Sequence, residues 1–175
     1  MIALKDDWNF LVEDESIFVH DSHVRRKWIV RQKRPIVTVT GPHSKTIIFG
    51  VLSNDGKQLF RQQYDKFNGH SFIRYLEKIR KKFKKFVIFV YRATQHRSKL
   101  VQQYLQINRD NVKIEYFPVG SPEFNAVEEC WRQGKYNILS DYYPNFQSLK
   151  HMIARYYRTR RFNLDIKKYL SRSTN

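Results

Sequence analysis

The stretch Phe86-Val87-Ile88-Phe89-Val90 is apolar at every position. A half-exposed strand alternates apolar and polar residues, so five apolar residues in a row fit a central strand covered on both faces. One cover is legible just upstream. From Gly69 to Phe83 the residues Phe72, Leu76, Ile79 and Phe83 recur at spacings of four and three, which predicts a helix with one apolar face on the sheet. Arg80, Lys81, Lys82, Lys84 and Lys85 crowd the far end of that helix. The strand then carries Tyr91 to its C-terminal tip, the end at which open sheets usually build their sites.

The remaining elements can be placed around this pair. Trp8 to Val12 reads as a short buried strand ending in the acidic cluster Glu13-Asp14-Glu15. Thr46 to Leu52 is a continuous apolar run, Asn54-Asp55-Gly56 supplies residues that tolerate positive φ, and Gln58 to Tyr64 extends again, which predicts a β-hairpin. A helix is expected from about Arg97 to Gln106. A strand from Val112 to Phe117 follows, broken by Pro118 and Gly120. Ser121 then reads as the N-cap and Pro122 as the first residue of a helix whose buried stripe is Phe124, Val127, Trp131 and Ile138. A last helix from roughly Asn145 to Tyr157 leads into an Arg- and Lys-rich tail. This order suits an α/β domain with a mixed sheet and helices on both faces. No internal repeat or long linker divides residues 1–175, so a single domain is expected.

Charge narrows the partner. The 175 residues carry a net +17 while 41% are hydrophobic, which describes a folded basic protein suited to a polyanion. Nucleic acid is favoured over an anionic membrane, because no long basic amphipathic helix with an exposed apolar face is evident. The apolar opening Met1-Ile2-Ala3-Leu4 is too short for a secretory signal, and no later run approaches membrane-spanning length. The single Cys130 allows no internal disulfide and lacks metal-ligand neighbours, so a reducing, cytoplasmic setting is expected.

Four local strings lie at or near the tips of these strands: Asp14-Glu15-Ser16; the pair Arg26 and Trp28; Tyr91-Arg92-Ala93-Thr94-Gln95-His96; and the run from Ser121-Pro122 through Asn125 and Glu128 to Trp131. Together, from about Trp8 to Ile138, they resemble the catalytic domain of mariner-type insertion-sequence transposases of the DDE endonuclease superfamily. The last string is the most specific. The resemblance implies a ribonuclease-H-like fold and cleavage or joining of DNA strands by in-line attack on phosphorus. It also implies three acidic side chains holding two Mg²⁺ or Mn²⁺ ions about 4 Å apart. By position Asp14 matches the first carboxylate and Glu128 the third, making both of them candidate metal ligands. In the family the second carboxylate ends the central strand and is followed by Asn and, a few residues on, by His, which sits close to the metals. Here Tyr91 and Arg92 stand at that strand end, and His96 remains.

A phenol with an ordinary pKa of about 10 is neutral at pH 7 and a poor Mg²⁺ ligand. Arg92 adds positive charge beside it. Strongly impaired cleavage and strand transfer are therefore expected, with Mg²⁺ or Mn²⁺ as cofactor if the domain is active. Two other readings stay open: a nuclease using one ion at Asp14 and Glu128, and a non-catalytic DNA-binding or regulatory protein derived from a transposase. Tyr91 as a nucleophile, as in tyrosine recombinases, lacks an accompanying Arg and His arrangement and reads better as packing.

Single residues also keep a plainer reading. Asp14 beside Glu15 also fits a solvated strand end, and Glu15 is disfavoured as a replacement for the missing carboxylate because on a strand it points to the opposite face from Asp14. Glu128, next to the apolar stripe, fits either a metal ligand or a salt bridge to Arg132 at i+4. His96 fits a helix start as well as a DNA-facing position. Arg25, Arg26, Lys27, Arg31, Lys33 and Arg34, interleaved with Trp28, suit phosphate contact, and the Lys-rich end of the first helix is a second candidate surface. Neither carries a base-reading pattern, so DNA binding largely independent of sequence is expected. The helix-turn-helix region that such proteins use to recognise transposon ends is not found in the chain. A homodimer, or a partner chain supplying that region, is the corresponding expectation.

Overall fold

Residues 7–20 and 44–170 are described by the computed structural model. The elements follow in the order β1 (Asn9–Val19), β2 (Lys45–Ser53), β3 (Phe60–Tyr64), α1 (Gly69–Phe83), β4 (Phe86–Val90), α2 (Lys99–Ile107), β5 (Val112–Tyr116), α3 (Val127–Ile138), α4 (Phe146–Thr159) and α5 (Ile166–Leu170). Single 3₁₀ turns at Thr94–Arg97 and Pro122–Phe124 precede α2 and α3. One sheet has the order β3-β2-β1-β4-β5. Its first three strands pair antiparallel, and β1, β4 and β5 pair parallel.

Strand alternation divides the apolar residues between two cores. Leu11, Phe49, Phe86 and Ile88 pack with Phe72, Tyr75, Leu76 and Ile79 of α1 and Val101 of α2. Val12, Ile48 and Leu52 pack on the other face with Val127 and Trp131 of α3, Ile153 and Tyr157 of α4, and Ile166 of α5. Helices thus cover both faces, and β4 and α1 occupy the spans their sequence patterns predict. The start of α1 is secured by Asn68, whose side chain accepts from the Ser71 N–H while the Ser71 hydroxyl accepts from the Asn68 N–H. Among the described residues no helix is long and apolar enough to cross a membrane.

Three boundaries differ from the sequence reading. The first strand does not stop before the acids. β1 runs through them to Val19, because β2 pairs with it from Leu11–Ser53 to Val19–Lys45 while β4 pairs with it only from Asn9 to Val12. The acids keep a strand neighbour on one side and lose it on the other. Secondly, the helix after β4 starts at Lys99, following the 3₁₀ turn, with the Ser98 side chain as its cap. Thirdly, Ser121 makes no capping bond and α3 starts at Val127. Asn125 accounts for this start: its Oδ1 accepts from the Val127 N–H at 3.0 Å and its Nδ2 donates to the Glu13 carbonyl at 2.8 Å. One buried amide therefore starts the helix and ties it to β1.

Two glycines let the layers close. A Cβ at Gly50 would stand 2.6 Å from Trp131 Cη2, so only a glycine on β2 admits the indole. At Gly134 a Cβ would meet the Tyr157 hydroxyl, which donates to the Cys130 carbonyl at 3.3 Å and holds α4 against α3.

Candidate active site

Asp14 lies opposite Gly50 in the β1–β2 register, on the face that packs against α3. The indole that fills the space over Gly50 turns its Nε1–H toward Asp14 and donates to Oδ2 at 2.9 Å. Tyr91 follows directly after β4, two residues beyond Phe89, and shares the same face, its ring 5.1 Å from that of Phe117. Glu128 stands in the first turn of α3. Its side chain keeps an open, solvent-facing side beside the stripe that the sequence reading set it next to; Val127, Cys130, Trp131 and Gly134 take the buried arc. The alternative salt bridge from Glu128 to Arg132 does not form. Arg132 makes two 2.6 Å hydrogen bonds to Glu129, one turn back at i−3.

The electrostatics tie the three residues together. Burial, then the nearby Glu128 and Glu15 carboxylates, push Asp14 up to about 8, opposed by the Trp131 N–H. Partial burial also raises Glu128, with Lys135 pulling the other way. Burial first, and Asp14 and Glu128 after it, raise the Tyr91 phenol far above its ordinary range, so it stays protonated. Its hydroxyl is sealed from solvent and has no well-formed hydrogen bond. The Asn125 side chain beside it is already engaged by Glu13 and Val127.

The opposite face of β1 holds a second group. Glu13 is fully buried and Glu15 nearly so, both turned away from Asp14 toward α1. His96 Nε2 meets Glu15 Oε1 at 2.8 Å, and its Nδ1 meets the Tyr91 carbonyl at 2.8 Å. The placement of His96 on a DNA-facing surface is thereby corrected: the 3₁₀ turn folds its ring under the sheet, where it has no exposure and packs against Phe72 and Phe67. Glu13 and the Glu15–His96 pair went unnoticed in the sequence as a unit, as did the Trp131 donor. The available signal was the alternation that puts residues 13 and 15 on one side and 14 on the other.

Arg25, Arg26, Lys27, Arg31, Lys33 and Arg34, with Trp28, lie outside the described residues. Of the second basic surface, Lys81, Lys82 and Lys84 at the end of α1 are exposed, and Arg155, Arg158, Arg160 and Arg161 form a further exposed basic run on and after α4.

The family pattern described as DDE superfamily endonuclease matches residues 9–150. No curated protein sequence matches the chain. Among solved structures the chain is similar to the Mos1 mariner paired-end complex with Mg, at 14% identity and TM-score 0.67 over 95% of this chain and 53% of that one. It is similar as well to the Mos1 transposase paired-end complex with left transposon end, at 13% and 0.65 over 92% and 50%. A third is the Mos1 transposase catalytic domain with raltegravir and Mn, at 11% and 0.65 over 94% and 78%. The chain spans about half the length of the transposase chains in the two paired-end complexes. At such identities the likeness carries the fold, a ribonuclease-H-like mixed sheet. The family match itself reaches across β1, β4 and the start of α3, and by it the chain belongs to the DDE superfamily endonucleases.

Proposed function

We propose that this domain binds the DNA phosphate backbone through its Lys and Arg side chains and cleaves it poorly at the Asp14–Glu128 site, because Tyr91 stands at the second acidic position. The observation that carries this reading is the Tyr91 hydroxyl: buried, without a hydrogen-bond partner, and part of a phenol, neutral at pH 7, at the strand end where a third carboxylate would be needed. The Mos1 structures are named as complexes with transposon ends and with Mg or Mn, which supports DNA and a divalent cation as the partners to test. A net charge of +17 and exposed Lys and Arg on two helices favour phosphate contact of low sequence dependence.

The residues fit one hydrated Mg²⁺ or Mn²⁺ held by Asp14 and Glu128. Such an ion needs only one or two carboxylates and keeps its waters, and it would offset the burial and then the Glu128 and Glu15 charges that raise Asp14. They do not fit two ions. The third group is a neutral phenol, and one Asp14 oxygen already accepts the Trp131 N–H. When bound, a cation there supplies charge stabilisation to a phosphoryl oxygen. The chain's own part is to orient Asp14 through the indole, to keep Glu128 at the open side, and to hold the DNA backbone with Lys and Arg.

Two measurements on the full chain test this. Duplex DNA affinity should fall linearly on a log–log plot as salt rises, and affinity independent of salt would contradict phosphate contact. Plasmid nicking in Mg²⁺ or Mn²⁺ should be weak in the wild type. Rapid nicking that Glu128→Gln abolishes would show that the impaired reading is wrong and that one ion suffices.

A further inference from the structure

We propose that Glu13, Glu15 and His96 form a second metal site, on the face of β1 opposite Asp14, that takes a single divalent transition-metal ion of the Zn²⁺ class. Their ligand atoms lie within 4.8 Å of one another. Zn–N and Zn–O bonds of roughly 2.0–2.2 Å in a tetrahedral site place ligands roughly 3.4 Å apart, so a modest contraction of three side chains closes the cage.

Glu13 is the observation that asks for a ligand. It has no exposed surface, and neither carboxylate oxygen has a hydrogen-bond partner. Ionised, it is an uncompensated buried charge; protonated, it still leaves a buried donor and acceptor unmet. A well-packed interior rarely keeps either. A cation shared with Glu15 and His96 would satisfy both oxygens.

His96 is arranged as metal-bound histidines are. A carbonyl can only accept, so the 2.8 Å contact with the Tyr91 carbonyl puts a proton on Nδ1; the 2.8 Å contact of Nε2 with Glu15 Oε1 holds a second proton between them, which a metal ion at Nε2 would displace. The ring is fixed by Phe72, with centroids 4.2 Å apart, and by Phe67 at 5.5 Å. This apolar wall, with Tyr75 of α1 also buried against it, excludes the water that a hydrated Mg²⁺ or Ca²⁺ would keep. One imidazole with two carboxylates in a dry pocket suits Zn²⁺ better than the harder ions.

The site is reachable. The Glu15 side chain is 14% exposed, and two residues on, Ile17 is 48% exposed on the same face, so an ion can enter past Glu15. The bound ion would clamp β1 to the segment after β4 at the place where their strand pairing has ended. It would act on Tyr91 through the backbone and on Asp14 also by offsetting the Glu15 charge, and its binding does not depend on any activity at the Asp14–Glu128 site.

The test uses the untagged full chain and Zn²⁺ alone. The double variant Asp14→Asn/Glu128→Gln removes the carboxylates of the other face. It should bind one Zn²⁺ per chain by equilibrium dialysis and metal analysis, with a rise in Tm and a shift of the His96 imidazole signals in NMR. In that background Glu13→Gln and Glu15→Gln should each weaken binding at least about tenfold and abolish the Tm rise. Their metal-free Tm and circular dichroism report whether the fold is kept, and Glu13→Gln is expected to be no less stable than its parent. The proposal is overturned if the double variant binds no stoichiometric Zn²⁺, or if Zn²⁺ affinity is unchanged by both Glu substitutions.

Discussion

Asp14 and Glu13 are neighbours on one strand and both are buried, yet they meet different surroundings. Toward α3, Asp14 finds the Trp131 N–H and shares its space with Glu128 and Tyr91. Toward α1, Glu13 finds aromatic rings and a histidine already bonded to Glu15, and its own oxygens receive nothing. What each carboxylate does is set by the donors that the facing helix presents, since strand and depth are the same for both. Burial raises the proton affinity of both, Asp14 to about 8 and Glu13 well above its ordinary value.

The largest expected effect follows from that shared direction. A carboxyl whose folded pKa lies above its unfolded value binds its proton more tightly in the folded state. Its contribution is full below pH 4 and is lost as pH rises toward 8. Metal-free protein should therefore lose stability on the order of several kcal/mol across this window in urea melts. Asp14→Asn should flatten part of the slope; an unchanged slope would place the titration elsewhere. Next comes Asn125→Ala, which cuts the side chain tying the start of α3 to β1. It leaves the Glu13 carbonyl and the Val127 N–H unpaired, and denaturant unfolding should show a loss of about 3 kcal/mol.

A smaller change separates the faces. Glu13→Leu should stabilise the metal-free protein at pH 8 by roughly 1–3 kcal/mol, since it replaces a buried unpaired acid with an apolar side chain. Smallest, as a shift in titration alone, is Trp131→Phe, which removes the hydrogen bond that opposes burial at Asp14 and should raise the Asp14 pKa further, read by carboxyl NMR titration.

Local periodicity made β4 and α1 legible to the residue, because an unbroken apolar run and a three-and-four spacing each allow one packing solution. The length of β1 was not legible, since it depends on pairing with β2, a strand more than twenty residues away. Similarly, the start of α3 depends on the contact between Asn125 and Glu13, 112 positions apart, and no local cap signal reports it. The strings that place Asp14, Tyr91 and Glu128 together were readable as a resemblance. The Glu13–Glu15–His96 group was not, because its members are joined only by the turn that folds His96 beneath the sheet.

We propose that Tyr91, more than any other departure, limits what this site can do with DNA. The direct measurement is plasmid nicking by Tyr91→Asp against wild type in Mg²⁺ and in Mn²⁺, with Tyr91→Asp/Glu128→Gln as the control. Nicking by Tyr91→Asp should stand well above wild type and be lost in the double variant. A folded Tyr91→Asp protein that nicks no faster than wild type would contradict it.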